Sequence, residues 1–138
     1  AGTLLLGSKD LIAKAKRARK ILGGAMRQAG VLAAAGLYAL EHNVERLVRD
    51  HENLQRLCRG LSGIDRLWVD PSHFPTNIAY VEVTRDDLSP GTLAEKLRHE
   101  HVLVNALGPH HVRVVTHLNI DDDDIDESVH RFARVMQS

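Results

Sequence analysis

Apolar positions divide the chain into a helix-rich first half and a second half in which strands and helices alternate. Residues 3–6 form a continuous apolar run that ends at Gly7, which predicts a short buried strand. Ser8 then predicts the N-cap of a helix, because apolar residues recur at helical spacing from Leu11 to Leu22. A chain that starts in a buried strand is expected to belong to a sheet that continues in residues outside this sequence.

A second helix is predicted from Met26 to about Leu40, and it is apolar on nearly all sides. Such a helix is typically buried on several sides, between a sheet and another helix or another subunit. The pattern then becomes amphipathic, with an apolar stripe from Val44 to Leu61 opposite a densely charged face. Two glycines, at positions 60 and 63, are predicted to end this third helix.

The second half alternates short strands with two further helices. One helix is predicted to open at Ser89 and to run to about Glu100. Residues 121–124 are all aspartate, which predicts the N-terminus of a last helix, where the helix dipole favours carboxylates. A calcium loop is disfavoured for this run, because the glycine and the distal glutamate of an EF-hand are missing. Strands are predicted at residues 67–69, 77–84, 102–104 and 112–115.

Composition narrows the class of protein. With 138 residues and 43% hydrophobic content, the chain is long enough for one substantial core. The net charge is zero, so no overall field favours nucleic acid or an anionic membrane, and no segment is apolar enough to span a bilayer. The single cysteine, Cys58, lies on the apolar stripe and is predicted to be an inert core thiol. It excludes an internal disulfide and fits a reducing compartment, so a cytoplasmic location is expected.

Basic and small residues cluster between the first two helices. Lys20 and Arg27 flank the run Gly23-Gly24-Ala25, where the backbone can turn sharply and another surface can approach closely. Two interpretations stay open: a helix C-cap with solvated cations, or an anion site for a phosphate or carboxylate at the start of the next helix. The basic face of the first helix has no interleaved aromatic residue, so nucleic acid is discounted.

Arg113 lies inside an otherwise β-branched strand, residues 112–115, where a charge must be edge-exposed, paired or used. The planar guanidinium suits bidentate binding of a carboxylate, but an outward-facing charge on a half-exposed strand fits the pattern equally well. The nine histidines do not show the helical spacing with a partnering carboxylate of a zinc hydrolase, so no metal site is predicted.

Several motifs together resemble the L-threonine aldolases, and the resemblance covers essentially all 138 residues in collinear order. It implies a PLP-dependent lyase of the aspartate-aminotransferase fold (fold type I), which splits β-hydroxy-α-amino acids into glycine and an aldehyde. One departure is Ala25, where the family commonly has a third glycine. The motifs are Gly2-Thr3-Leu4-Leu5-Leu6-Gly7-Ser8-Lys9-Asp10, Arg19-Lys20-Ile21-Leu22-Gly23-Gly24-Ala25-Met26-Arg27-Gln28-Ala29-Gly30, Ala33-Ala34-Ala35-Gly36-Leu37-Tyr38-Ala39-Leu40, Asn43-Val44-Glu45-Arg46-Leu47, Asp50-His51, Thr76-Asn77, Val102-Leu103-Val104-Asn105 and Val112-Arg113-Val114-Val115-Thr116-His117-Leu118.

The resemblance also implies which part of the family's fold is here. The family's lysine that forms the Schiff base with PLP lies in a segment that nothing in this chain matches; Lys9 belongs to a different motif. An α/β fold is therefore expected that corresponds to the C-terminal part of the protein. Residues 1–46 would be the end of the large PLP-binding domain, with a strand and two helices. Residues 47–138 would be the small α/β domain, with a short, mainly antiparallel sheet.

Three residues receive a role from the resemblance. Arg113 matches the arginine that grips the α-carboxylate of the substrate, and Lys20 and Arg27 match residues at the phosphate side of the cofactor. No catalytic residue and no metal ligand is assigned. The expected reaction is cleavage of L-threonine or L-allo-threonine to glycine and acetaldehyde by the complete protein. The 138-residue chain alone is expected to be inactive.

The expected partners are a β-hydroxy-α-amino acid and either a companion N-terminal portion or further copies in a homodimer or homotetramer. Nucleic acid and membrane are not expected. In isolation, the apolar helix would leave a large patch exposed, so poor solubility or obligate association is predicted. The alternative function is a non-catalytic fragment derived from the same fold, which dimerises through residues 26–40 or binds an anion at the corner formed by residues 23–27.

Overall fold

A computed structural model describes residues 3–138 of the chain, and these residues divide into two compact units. The first unit ends at Arg46 and the second runs from Leu47 to Ser138. No helix of the described residues is both long enough and apolar enough to cross a membrane. The assignment of the units to the large and small domains of a PLP enzyme stays a prediction.

The first unit contains two helices, α1 (Lys9–Ile21) and α2 (Gly30–His42). The predicted N-cap of α1 is confirmed, because the Ser8 hydroxyl accepts a hydrogen bond from the backbone N–H of Leu11 at 3.2 Å. The predicted start of the second helix is wrong: α2 begins at Gly30 rather than at Met26, and its N-cap, Ala29, makes no side-chain hydrogen bond. No residue of either helix is buried.

The buried strand predicted at residues 3–6 is also wrong. These residues have no regular secondary structure, and the side chains of Leu4, Leu5 and Leu6 are 55%, 59% and 76% exposed. A strand is defined by the backbone hydrogen bonds that it exchanges with a neighbour, and none of the described residues pairs with this segment. Within this apolar run, Leu4 lies beside Gly36 of α2.

The second unit packs three helices against one face of a four-stranded antiparallel sheet with the strand order β1-β2-β4-β3. One short 3₁₀ turn, Pro71–His73, follows β1. The short antiparallel sheet predicted for this part of the chain is confirmed. The helices are α3 (Leu47–Ser62), α4 (Pro90–His99) and α5 (Asp122–Gln137), and the strands are β1 (Leu67–Trp68), β2 (Ile78–Val83), β3 (Asn105–Leu107) and β4 (His111–Val115).

Alternation along the strands builds the core. Ala79, Val81 and Val83 of β2 and Val112 and Val114 of β4 point to the helical layer and are at most 4% exposed. The helices contribute the other fully buried side chains of this core, among them Leu54, Leu61, Leu93, Leu97, Ile125 and Phe132. The neighbouring positions on the strands, one residue on, therefore face away from the helices.

The end of α3 and the start of α5 differ in how far they follow the sequence predictions. Gly60 does not end α3, which continues to Ser62; instead it lies against Val129 of α5 and permits the two helices to approach closely. The start of α5 follows the prediction, since Asp121 and Asp124 form a reciprocal capping box. The acidic run is thus occupied in capping the helix and in ion pairs such as Arg49–Asp122.

The strand predicted at residues 102–104 is displaced in the structure, because β3 begins only at Asn105. Val102, Leu103 and Val104 do not continue the ladder with β4. They line a cavity of about 310 Å³, to which Val114 and Thr116 also contribute. Val102 and Val104 are partly buried against the core, whereas Leu103 is exposed, so the apolar pattern of this segment does not indicate strand pairing.

Candidate functional site

Arg113 lies on the face of the sheet opposite the helices, in the middle of β4. Its neighbours Val112 and Val114 are buried in the core, at 0% and 3% exposure, so the alternation of the strand turns Arg113 to the other face. The residue is half-buried, and its Nε atom is buried without a hydrogen-bond partner. Arg113 forms no ion pair with any residue between 3 and 138. This face therefore presents a cation that the described chain leaves unneutralised.

Two polar side chains stand in register with Arg113. Tyr80 of β2 is its direct cross-strand partner on one side, and Asn105 of β3 is its partner on the other. The ring of Tyr80 packs edge-on against Phe74, with 5.9 Å between the ring centroids. Residues directly opposite each other on antiparallel strands share one face of the sheet. Tyr80, Arg113 and Asn105 thus form a row across three strands.

The rest of this open face is partly apolar. The row next to Arg113 contains Glu82, His111 and Leu107, and Trp68 lies opposite Glu82 at the edge of the sheet. The row on the other side pairs Ile78 with Val115. Trp68, Ile78, Tyr80, Leu107 and Val115 are between 37% and 53% exposed. The open face consequently offers apolar surface around one central cation.

Thr116, at the end of β4, is held by two other motif residues: Asp50 of helix α3 and Asn77, which immediately precedes β2. The Thr116 hydroxyl is buried and donates to the backbone oxygen of Asp50 at 2.6 Å. Asn77 makes two hydrogen bonds to the backbone of Thr116. Its side chain donates to the Thr116 oxygen at 2.8 Å, and its backbone oxygen accepts from the Thr116 N–H at 3.0 Å. In the sequence, these residues are linked only by motifs of the family resemblance. Their contacts give them a structural role, which is to hold the strand that carries Arg113.

Lys20 and Arg27 belong to the first unit, on either side of the turn that ends α1. The turn is a Schellman motif: the N–H of Gly24 donates to the oxygen of Arg19 at 2.8 Å, and the N–H of Gly23 donates to the oxygen of Lys20 at 3.2 Å. Gly23 has the positive φ of 75° that this motif requires. The predicted helix C-cap is therefore confirmed, and whether the cations beside it bind an anion stays a prediction. An anion bound at the start of the next helix would not lie directly beside Arg27, because α2 begins three residues after it.

The two basic side chains remain free for a ligand. Both are exposed, and neither makes a hydrogen bond or an ion pair within the part of the chain that the structure describes. Ala25, at the position where a third glycine was expected, is exposed as well. The turn thus accepts its methyl group without burying it.

The remaining candidates for a functional role are the cysteine and the possible metal ligands. Cys58 is fully buried, and burial raises the pKa of its thiol to about 11, which matches the predicted inert core thiol. Across residues 3–138, no group of three or more histidine, cysteine, aspartate or glutamate side chains lies close enough together to hold a metal ion.

Solved structures of PLP-dependent fold type I enzymes share this fold. The solved structure of the cystine C-S lyase C-DES, in complex with its reaction product cysteine persulfide, superposes on it with a TM-score of 0.62 at 21% sequence identity. That superposition covers 76% of this chain and 28% of the lyase. The expected fold class is thereby confirmed.

The chain belongs to the beta-eliminating lyase family, whose sequence model matches residues 1–84. It is 38% identical over 138 residues to a probable low-specificity L-threonine aldolase 2 of Arabidopsis thaliana, covering 99% of this chain and 39% of that protein. It is 41% identical over 128 residues to the low-specificity L-threonine aldolase of Escherichia coli K12, covering 91% of this chain and 36% of that protein. The resemblance to L-threonine aldolases is confirmed, and the chain spans less than two fifths of the length of these relatives.

Proposed function

We propose that this chain is the C-terminal portion of a PLP-dependent threonine aldolase, which cleaves L-threonine or L-allo-threonine to glycine and acetaldehyde. The observation that carries the proposal is Arg113, a half-buried cation with an unpartnered Nε on the open face of the sheet. It lies in the motif that resembles the family's carboxylate-binding strand. The similarity to two low-specificity threonine aldolases supports the substrate class.

Arg113 would hold the α-carboxylate of the amino acid. A guanidinium offers paired N–H groups in a fixed plane, so it binds a carboxylate at two points and fixes its orientation. An orientation fixed at the carboxylate also fixes which bond of the Cα atom can break. The contacts of Thr116 with Asp50 and Asn77 hold the strand in place, which keeps the clamp from shifting as substrate binds.

Lys20 and Arg27 would hold the phosphate of PLP. They fit this group because both are exposed cations without a partner among the described residues, on either side of a Schellman turn where the backbone bends sharply. When it is bound, PLP supplies the electron sink for cleavage of the Cα–Cβ bond. The chain's own residues would bind and orient; none of them is assigned as the base that takes the hydroxyl proton.

A second copy of the protein is the proposed partner for α2. Val31, Leu37 and Tyr38 are at least 60% exposed, and the helix carries no charged residue before Glu41. An apolar surface of this kind is typically covered by another chain. We propose a homo-oligomer, and the dimer or tetramer expected from the sequence is tested by light scattering of the complete protein. A monomer at micromolar concentration would contradict it. A cytoplasmic location stays a prediction.

The central test replaces Arg113 in the complete protein. Arg113→Ala is expected to raise the KM for L-allo-threonine by roughly 10- to 100-fold, the range of one or two lost charge-assisted hydrogen bonds. Arg113→Lys is expected to recover only part of this loss, since the charge remains but the planar fork is gone. Arg98→Ala removes an exposed arginine from α4 and serves as the matched control. An unchanged KM in Arg113→Ala would overturn the proposal.

A second test separates this function from the alternative of a non-catalytic dimerising or anion-binding fragment. The 138-residue chain is incubated with PLP, reduced with borohydride and mapped by mass spectrometry. No single lysine is expected to be labelled stoichiometrically, and no aldolase activity is expected. Specific labelling of Lys9 or Lys20 would show that a PLP-reactive lysine lies in this chain after all. A complete protein that assembles normally but shows no activity would favour the non-catalytic alternative.

A further inference from the structure

The buried Nε–H of Arg113 needs a hydrogen-bond acceptor that a bound carboxylate does not necessarily supply. A buried N–H without an acceptor is energetically unfavourable, so such groups are normally paired. A carboxylate that is bound by the two terminal nitrogens of the guanidinium leaves the Nε–H without an acceptor. The structure shows no protein partner for this atom. The side chain that supplies an acceptor would also decide the plane of the guanidinium.

Asn105 is the best-placed acceptor. The register puts it directly opposite Arg113 on β3, on the same face of the sheet. Side chains paired in this way have Cβ atoms about 4.5–5.5 Å apart, within reach of an amide oxygen and an arginine Nε. The Asn105 side chain is exposed and makes no hydrogen bond among the described residues. Asparagine is depleted in strands, so its presence at this position is consistent with a role for its polar side chain.

The other neighbours are less suited. Tyr80 is the partner on β2, but its ring is packed against Phe74 and carries its hydroxyl farther from the backbone than Nε. Glu82 faces His111, and so reaches Arg113 only along the diagonal of the ladder. A carboxylate that paired with Arg113 would also compete with the substrate for the same guanidinium. Asn105 offers an acceptor without that competition.

The hairpin between β3 and β4 fixes this arrangement. Leu107 and His111 are the last paired residues, and the connecting turn begins at Gly108, whose φ of 61° favours glycine. A tight hairpin sets the register of its strands through the geometry of its turn. The juxtaposition of Asn105 and Arg113 therefore exists before any ligand binds.

We propose that Asn105 is a positioning residue for Arg113: when an amino acid carboxylate engages the guanidinium, the side-chain oxygen of Asn105 turns to accept the Nε–H, which has no partner in this structure, and so holds the terminal nitrogens toward the carboxylate. This inference rests on the proposed function of Arg113. It extends that function by naming the residue that orients the clamp. Asn105 does not touch the reacting atoms, so its removal should weaken carboxylate binding without changing the chemical step.

The test measures binding of glycine and of glycinamide to the complete, PLP-loaded protein by calorimetry. Asn105→Leu is expected to raise the Kd for glycine about tenfold and to leave the Kd for glycinamide, which lacks the carboxylate, unchanged. Asn105→Asp is expected to raise the glycine Kd further, because the new carboxylate competes for Arg113. In steady-state kinetics, KM should rise while kcat stays near its original value. In an Arg113→Leu background, Asn105→Leu should add no further loss.

Glu82→Gln, on the same open face, is the matched control and should leave both Kd values unchanged. A glycine Kd that is unaltered in both Asn105→Leu and Asn105→Asp, while Arg113→Leu weakens binding, overturns the inference and leaves the proposed function standing. If Arg113→Leu itself binds glycine normally, the proposed function fails as well. An effect of Glu82→Gln in place of Asn105→Leu would assign the acceptor to Glu82, and so would also overturn the inference.

Discussion

Gly60 of α3 lies directly against Val129 of α5: a Cβ built on Gly60 would be 2.5 Å from Cγ2 and 3.0 Å from Cγ1 of Val129. Real Cβ atoms do not approach other carbons so closely, so the separation of these two helices depends on the missing side chain. The core of the second unit lies beneath this crossing, where Leu57 and Leu61 of α3 are buried.

Gly60→Ala is expected to lower the free energy of unfolding, because overpacking costs about 1–3 kcal/mol. Because alanine is favoured over glycine in a helix interior by about 1 kcal/mol, and the rigid Val129 methyl groups put the overpacking cost near the upper end of this range, we expect a net loss of about 1–2 kcal/mol. Urea denaturation followed by circular dichroism measures it. Gly91→Ala in α4 is the control, because its Cβ would meet only the Ser89 hydroxyl at 3.8 Å and should be neutral or slightly stabilising. Equal stability of Gly60→Ala and the parent chain would contradict the close approach.

Thr116→Val removes the hydroxyl that donates to the Asp50 oxygen at 2.6 Å and keeps the shape of the side chain. The buried carbonyl loses a partner, so we expect a loss of about 1–2 kcal/mol in the free energy of unfolding. Thr84→Val, at an exposed threonine, should change stability by less than about 0.5 kcal/mol. The same denaturation experiment compares the two variants, and similar midpoints would argue against a role for this hydrogen bond.

The start of α5 allows a test of the capping box. Asp121→Ala removes the side chain that accepts from the Asp124 N–H at 3.0 Å, and should cost about 1 kcal/mol. Asp123→Ala, in the same acidic turn, removes an exposed carboxylate that makes no hydrogen bond among residues 3–138 and should cost clearly less. If both substitutions cost the same, the acidic run stabilises α5 only through the helix dipole.

Cys58 predicts a dependence of stability on alkaline pH. Burial raises the pKa of its thiol to about 11, so the folded chain keeps the proton that the unfolded chain loses. The resulting stability is fully present below about pH 8.5, the ordinary value for cysteine, and is lost as the pH rises toward the folded value. The difference in unfolding free energy between the parent chain and Cys58→Ala should therefore shrink between these limits. A difference that is constant from pH 8 to pH 11 would contradict the raised pKa.

Lys20 and Arg27 are expected to contribute to cofactor affinity. Lys20→Ala and Arg27→Ala in the complete protein should each raise the Kd for PLP by roughly 10- to 100-fold, since each removes a charge-assisted contact to phosphate. Lys14→Ala, an exposed lysine of α1, is the control. Equilibrium titration followed by absorbance gives the Kd. Affinity that falls equally in all three variants would indicate a general effect of charge and not a phosphate site.

Local signals in the sequence were sufficient for several elements. The cap at Ser8, the opening of α4 at Ser89 and the capping box at Asp121 follow from short-range hydrogen bonding, which the residue type and its spacing largely determine. Strand β2 follows from alternation, and β4 follows from its run of β-branched residues. The family and the fold class followed from motifs and are confirmed by the comparisons.

Other features depend on contacts between distant parts of the chain, so the sequence pattern could not determine them. The apolar runs at residues 3–6 and 102–104 look like strands, but a strand also needs a paired neighbour, and neither segment pairs with one in the described chain. The sequence predicts that Gly60 ends a helix, whereas in the structure it lies at the crossing of α3 and α5, where it permits the close approach of the two helices. Arg113 was predicted from its motif. Only the register of the sheet places Asn105 and Tyr80 beside it, because cross-strand neighbours are set by pairing and not by distance along the sequence.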